Sequence, residues 1–332
     1  MRHFAFFAFA LLFASLLQGC IIIPISLPGG AEVRQVVYRD GSGIMPKKIA
    51  IIEVSGVLNS GGSGDGFFSA DSSVVDLAKK LAAVREDRRV KAVILRVDTP
   101  GGGVTASDIM YHELEAFRAE TDLPVYVSMQ TVAASGGYYV SMASDKIYAA
   151  PTSITGSIGV IGVFPEATGL MKMVGLKMNA IKSGAQKDGG AFYRDMDDES
   201  RAIYQAMIDD FYGKFVDVIA ANRTNLEREE IVALADGRVY TAQQAVDAGL
   251  IDGIAYLDEV VEAVENDFDL AGASVVIVSR SAAQTTESLY AASMPGSRAN
   301  EKPAASQVNI VNFDARSLAE PVTEPFNYLW MP

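Results

Sequence analysis

Short apolar runs alternate with segments in which apolar residues recur every three or four positions along the chain of 332 residues. The runs are rich in β-branched residues and have the length of buried strands. They predict strands at 46–58, 90–98, 123–130 and 145–151, a further extended segment at 176–184, and an edge strand at 273–279.

The segments between the runs predict helices. One begins at Ser73, after a cap at Asp71 or Ser72, and a second covers 104–120. A long amphipathic helix at 197–223 places Ile203, Met207, Phe211, Phe215 and Val218 on one side, and a smaller helical region extends to about residue 266. Alternating strands and helices indicate an α/β fold, with a mostly parallel sheet and crossover helices.

The N-terminus, "MRHFAFFAFALLFASLLQGC", predicts an export signal over 1–19. Its apolar stretch from Phe4 to Leu17 is short for a membrane span. The end, "LLQGC", resembles the bacterial lipobox, which implies that Cys20 is acylated after cleavage. An uncleaved helical anchor stays open as the alternative. Either interpretation places the protein in the cell envelope, held at a membrane and facing the periplasm or another extracytoplasmic side.

Three further segments follow the signal: a membrane tether at 20–45, a main α/β domain at 46–280, and a linker with an apolar tail at 281–332. The linker is rich in Ala, Ser, Thr and Pro, which indicates mobility. Its tip, "FNYLWMP", has two interpretations. It docks on an apolar groove, or it reaches an active site as a substrate mimic or a product of self-processing.

Charge and composition restrict the function classes. The formal net charge is −13 and no basic run offsets it, so a nucleic-acid partner is not expected. Cys20 is the only cysteine, which excludes disulfides within the chain. The mature chain would keep one histidine and no free thiol, which gives no expectation of a metal site. No cofactor is predicted.

Two glycine-rich loops follow neighbouring strands, where parallel α/β proteins collect their chemistry. They are "DTPGGG" (98–103) and "AASGG" (133–137). Ser135 in the second loop precedes a helix, and free glycine amides suit an oxyanion hole. Either loop alone is equally typical of tight packing.

A serine nucleophile needs a base, and His112 is a poor candidate because helical geometry turns it about 200° away from Met110 and towards solvent. A lysine is left. Its neutral amine accepts a proton, although deprotonating an ordinary lysine at neutral pH costs about 4 to 5 kcal/mol. A serine–lysine pair is a known variant of the catalytic triad.

Four motifs in order, "LRVDTPGGGV", "ASGGYYVSMASDKIYAAPTSITGSIGVIG", "IKSGAQKD" and "DGRVYTAQQAVDAGLID", resemble the short bacterial form of the signal peptide peptidase A family. The likeness covers roughly residues 46 to 260. It implies a Clp protease/crotonase-like fold and a Ser/Lys dyad. By this resemblance Ser135 is the nucleophile, Lys187 the general base, Gly102 and Gly136 the oxyanion donors, and Ser157 a residue that holds the lysine.

Two positions qualify this assignment. Lys182, five residues before Lys187, is a competing lysine. Thr99 stands where the family more often has serine before Pro-Gly-Gly.

The resemblance also implies a homo-oligomeric ring or dome in which serine and lysine can come from neighbouring protomers. Its usual substrates are cleaved signal peptides left in the membrane. The predicted function is therefore a membrane-tethered serine endopeptidase. Two alternatives are an acyl-CoA enzyme of the crotonase type, which the export signal disfavours because CoA is cytoplasmic, and a catalytically inactive envelope scaffold.

Overall fold

The computed structural model describes residues 33–61, 72–280 and 326–329. The predicted signal peptide, Cys20 and the predicted linker at 281–306 lie outside these residues. Among the described residues, no helix is both long and apolar enough to span a membrane.

The strands occur throughout the described chain. They are β1 (Arg34–Arg39), β2 (Lys48–Ser55), β3 (Val90–Thr99), β4 (Gly101–Gly103), β5 (Val125–Ala134), β6 (Lys146–Ala149), β7 (Ile154–Gly156), β8 (Ile161–Gly162), β9 (Val239–Thr241), β10 (Gly253–Ile254), β11 (Ser274–Ser279) and β12 (Phe326–Leu329). Nine of these described strands form one sheet. Seven lie in the order β1-β11-β2-β3-β5-β6-β10, while β7 pairs with β5 and β9 pairs with β7. All neighbours in this sheet are parallel except β1 with β11 and β7 with β9.

Helices cover both faces of the sheet. They are α1 (Ser73–Glu86), α2 (Val104–Thr121), α3 (Gly136–Ser141), α4 (Thr168–Val174), α5 (Asp198–Asn222), α6 (Arg228–Leu234), α7 (Ala242–Asp247) and α8 (Leu257–Asp267). One face of β3 packs Val93, Leu95 and Val97 into the larger core, which includes residues of α1, α2 and α3. The other face packs against α8. These layers confirm the predicted α/β class, and Ser72 caps α1 as predicted.

One prediction about the edge of the sheet is wrong. The segment at 273–279 was predicted as an edge strand, but β11 lies between β1 and β2, and all six of its residues are buried. The reason is β1, which lies inside the predicted tether at 20–45 and pairs with β11 in antiparallel fashion. An unbroken apolar run in β11 is the pattern of a strand covered on both sides.

Two further predictions hold only in part. Residues 176–182, expected to be extended, belong to no helix or strand. The apolar stripe of α5 is buried at Phe215, but Ile203 and Met207 near its N-terminal end are exposed. The N-terminal half of α5 therefore presents an apolar surface.

Pairing of β3 with β5 positions both glycine-rich loops. The strands run parallel and Thr99, the last residue of β3, lies opposite Ala133 of β5. Because both loops leave the sheet at its carboxyl edge, the turn at Gly101–Gly103 and the turn at Ser135 become neighbours.

Candidate active site

Ser135 lies at the junction between β5 and α3, where it is the N-cap residue. Its backbone adopts φ 53° and ψ −114°, a combination that side-chain-bearing residues rarely take. Its amide donates to the carbonyl of Gly156 over 2.7 Å, and its carbonyl accepts from the amide of Tyr139 over 2.9 Å. Backbone strain held in place by its surroundings is typical of functional sites.

A cavity of about 400 Å³ opens beside Ser135. Ser157 lines the same cavity, and it too has a positive φ, of 49°. Its wall is mixed, because Ile158 and Val160 lie beside the carboxylates of Asp209 and Asp236. The structure therefore brings Ser135 and Ser157 to one concave site that has room for a substrate side chain.

The turn before α2 can be built only with glycine at Gly102. A Cβ at this position would lie 2.0 Å from the carbonyl oxygen of Leu58. Leu58 donates its amide to the carbonyl of Gly101 over 2.8 Å and accepts from the amide of Gly103 over 2.9 Å. Since Leu58 bonds the residues on both sides of it, Gly102 directs its own N–H and C=O to the opposite side of the turn.

Two tyrosines fix α3 after the serine. The hydroxyl of Tyr138 donates to the carbonyl of Leu250 over 2.8 Å, and that of Tyr139 donates to Asp108 over 2.7 Å. Burial raises the pKa of Tyr138, which keeps its hydroxyl protonated as a donor. A tethered α3 holds the free amide of Gly136 at a fixed place.

A half-buried carboxylate connects the two strand ends that lead into the glycine-rich loops. Asp98 accepts the amide of Val132 over 3.1 Å. Burial raises the pKa of this carboxyl, with the backbone bonds of Val132 and the charge of Arg96 opposing the rise. Asp98 thus connects the end of β3 to the last residues of β5, just before Ser135.

Lys187 is not part of the Ser135 cavity within one chain. It lies on a short 3-10 helix, Ala185–Asp188, and is exposed. Its amine makes no hydrogen bond or ion pair with the other described residues, and it does not line the cavity. The structure therefore does not assemble the predicted dyad from a single copy of the chain.

Lys182, the competing lysine, is already engaged. Its amine donates to the carbonyl of Ala185 over 3.0 Å and to Asp188 over 2.5 Å. The hydrogen bond from Lys182 lowers the pKa of Asp188, so this carboxylate stays ionised. The amine of Lys182 is therefore already engaged by partners within its own segment. His112 is exposed, as its helical position predicts.

Exposed apolar side chains precede the segment that carries Lys187 in the sequence. Met173 of α4 is 83% exposed, and several neighbours in sequence share this exposure. They are Val163, Leu170, Val174, Leu176, Met178 and Ile181. So many exposed large apolar side chains in about twenty residues mark an interaction surface.

The C-terminal tip lies against the glycine turn. Strand β12 pairs in antiparallel fashion with β4, with Tyr328 opposite Gly102, and on its other side with β8. Residues 326–329 dock by backbone pairing with β4 and β8. That the docking groove is apolar stays a prediction, and so does self-processing of the tip.

Comparison with known proteins identifies the family of the chain. The model of peptidase family S49 matches residues 118–271. A protein of Enterococcus faecium named "Putative signal peptide peptidase SppA" is 34% identical over 248 residues, which are 75% of this chain and 71% of that protein. The chain belongs to peptidase family S49. The resemblance stated from its motifs is thereby confirmed, and its activity class is that of a peptidase.

Two other comparisons complete the description of this S49 peptidase. "Protease 4" of Haemophilus influenzae is 34% identical over 221 residues, 67% of this chain and 35% of that protein. A solved structure of a membrane-bound stomatin-specific protease mutant covers 72% of this chain and 100% of its own, at 14% identity and a TM-score of 0.45.

Sequence reasoning missed two residues that shape the site. Leu58 forms the backbone partner of the glycine turn, and Thr99 connects that turn to α3. Thr99 is visible in the sequence only as a departure from the family's commoner serine. The partner role of Leu58 has no local signal, because it depends on a contact with residues more than forty positions away.

Proposed function

We propose that the protein is a serine endopeptidase in which Ser135 is the nucleophile and a neutral Lys187 is the general base. The observation that carries this proposal is the strained backbone of Ser135, held at a helix N-terminus beside a cavity and next to a glycine turn with an outward amide. Strain of this kind is costly, and a merely structural serine would not need it.

The proposed reaction has two halves. The Oγ of Ser135 attacks the carbonyl carbon of the substrate while its proton passes to the amine of Lys187. The amides of Gly102 and Gly136 bind the oxyanion, the proton then goes to the leaving amine, and an acyl-enzyme remains. Water, deprotonated by the same lysine, attacks the acyl carbon and releases Ser135. Ser157 would hold the lysine amine.

A second copy of the chain would supply the lysine. Lys187 is exposed and unpaired with other described residues, and the segment before it in the sequence presents an apolar surface. Covering that surface with another protomer would remove Lys187 from water, and desolvation favours the neutral amine that a base requires. A ring or dome of this kind would complete each site across an interface.

The substrates we propose are extended peptides, including remnants of signal peptides. Strand β12 supports this choice, because it shows that the groove between β4 and β8 accepts a chain in antiparallel extended form. Backbone pairing of this type binds peptides with little regard to sequence, and pockets for side chains add selectivity. Ile158 and Val160 in the cavity wall offer apolar contacts to a substrate side chain.

We also propose that a lipid on Cys20 tethers the enzyme to a membrane of the cell envelope. The support is the sequence alone: a basic start, a short apolar stretch and the single cysteine at its end. Tethering would keep the site near peptides that remain in the membrane. The high effective concentration of these peptides would then compensate for weak binding to the site.

Labelling with a serine-reactive fluorophosphonate tests the proposed function. We expect one adduct per active chain, located at Ser135 by peptide mass spectrometry, and no adduct in Ser135→Ala. Ser144→Ala is a matched control, since that hydroxyl is half-buried and donates to the carbonyl of Ser141. Failure of the assembled wild-type protein to react would indicate a catalytically inactive scaffold. Hydrolysis of an acyl-CoA thioester without hydrolysis of peptides would favour the crotonase-type alternative.

Removing residues 326–332 is expected to increase peptide hydrolysis, because β12 occupies the place proposed for substrate. If the tip fills the groove nine-tenths of the time, kcat/KM should rise about tenfold. The measurement is the rate on a fluorogenic peptide with and without the deletion. A synthetic peptide with the sequence of 326–332 should restore inhibition, and a scrambled peptide should not. Equal rates for the two proteins would contradict the prediction.

A further inference from the structure

Thr99 contacts both halves of the proposed oxyanion hole. It is the last residue of β3 and is fully buried. Its hydroxyl accepts the amide of Gly101 over 3.0 Å and donates to the carbonyl of Gly56. One hydroxyl therefore fixes the first residue of the glycine turn against the segment that leads to Leu58.

The methyl group of Thr99 faces the other half. A Cβ built on Gly137 of α3 would lie 2.7 Å from this methyl carbon and 3.2 Å from the Thr99 carbonyl oxygen. Thr99 therefore packs closely against α3. The contact is possible because residue 137 of α3 is a glycine without a side chain. The position of Gly136, one residue earlier, depends on how closely α3 approaches Thr99.

We infer that Thr99 is a positioning residue that sets the separation between the amides of Gly102 and Gly136. The inference rests on the proposed function, since it concerns the same oxyanion hole. The hydroxyl controls the turn, because it accepts the amide of Gly101, the residue directly before Gly102. The methyl controls α3, because packing contacts transmit displacements of a fraction of an ångström.

The two roles can be separated by substitution. Thr99→Val keeps the branched shape but leaves the amide of Gly101 and the carbonyl of Gly56 without their partner. Thr99→Ser keeps the hydroxyl and removes the methyl beside Gly137. When the oxyanion donors are displaced from their positions around the transition state, kcat falls. The affinity for ground-state substrate changes little.

Three measurements on the assembled protein test the inference: kcat and KM on a peptide, the affinity of a peptide boronate that forms a tetrahedral adduct at Ser135, and peptide affinity in a Ser135→Ala background. We expect Thr99→Val to lower kcat and boronate affinity by about tenfold or more each, corresponding to about 1.4 kcal/mol or more. Thr99→Ser should lower both by about threefold, a smaller packing effect. Peptide affinity in the Ser135→Ala background should stay within about twofold of the Thr99 protein.

Ser274→Ala is the control for a general loss of stability. Ser274 is buried on β11 and donates to the carbonyl of Arg39, away from the site. It should lower the melting temperature without changing kcat. If Thr99→Val does not fold, Thr99→Ser, which keeps both hydrogen bonds, still tests the packing half.

Two outcomes overturn the inference. One is a folded Thr99→Val protein with wild-type kcat and boronate affinity. The other is a loss of peptide affinity equal to the loss of boronate affinity, which would indicate a role in binding alone. Failure of the proposed function looks different, because then the wild-type protein itself forms no boronate adduct at Ser135.

Discussion

Replacing Lys187 with alanine is expected to lower peptide hydrolysis by about 10⁴-fold, the upper range for removing a general base. Without a proton acceptor the hydroxyl of Ser135 is a weak nucleophile, so fluorophosphonate labelling should fall as well. The measurement is kcat/KM on a fluorogenic peptide, together with the rate of labelling at Ser135. Retention of more than a tenth of the activity would contradict a role for Lys187 as base.

Lys182→Ala is the matched control for this prediction. The two lysines are five residues apart in one segment, but Lys182 is held by Asp188 and Lys187 is exposed. We expect Lys182→Ala to keep most of the activity and to loosen the local structure, since it removes an ion pair on a half-exposed side chain. If Lys182→Ala were the inactive variant and Lys187→Ala the active one, the assignment of the base would be reversed.

Mixing the two inactive variants tests whether the site is shared. When Ser135→Ala and Lys187→Ala proteins are dissociated and reassembled together, one interface in four joins an intact serine to an intact lysine if copies associate at random. About a quarter of the wild-type activity should then return. A site contained in one chain predicts no recovery at all, because neither variant carries both residues.

Local patterns were sufficient to place Ser135 between a strand and a helix. The apolar run before Ser135, the glycines after it and the helical spacing beyond predicted a strand, a turn and a helix, and β5, Ser135 and α3 occur in that order. The parallel arrangement of β3 and β5 followed from the alternation of strands and helices. Placing two loops at the same edge of a sheet needs only this information.

The sequence could not predict features that depend on distant partners. The segment that forms β1 was interpreted as part of a tether, because its local sequence gives no sign of its pairing with β11. That pairing joins residues about 240 positions apart. Thr99 reads as a substitution of one hydroxyl residue for another, although its methyl touches α3. The surroundings of Lys187 are missing from any single chain if a second copy supplies them, so neither the sequence pattern nor one folded copy can describe them.

Replacing Gly102 with alanine is expected to lower kcat by about 10² to 10³-fold, the range found when one oxyanion donor is lost. The new Cβ would lie 2.0 Å from the carbonyl oxygen of Leu58 and 2.5 Å from its amide nitrogen. Both atoms belong to the backbone, so relief requires the turn to move away from Leu58. That movement redirects the amide of Gly102, which is the atom that the proposed mechanism uses.

Gly213→Ala is the control, because Gly213 lies inside α5 and a Cβ there meets no atom within 4 Å. It should raise helix stability by about 1 kcal/mol and leave kcat unchanged. Both variants are compared by thermal unfolding, by kcat, and by peptide affinity in a Ser135→Ala background. For Gly102→Ala we expect a folded protein that is destabilised by about 1 to 3 kcal/mol from overpacking. A folded Gly102→Ala protein with full kcat would show that the amide of Gly102 does not contact the oxyanion.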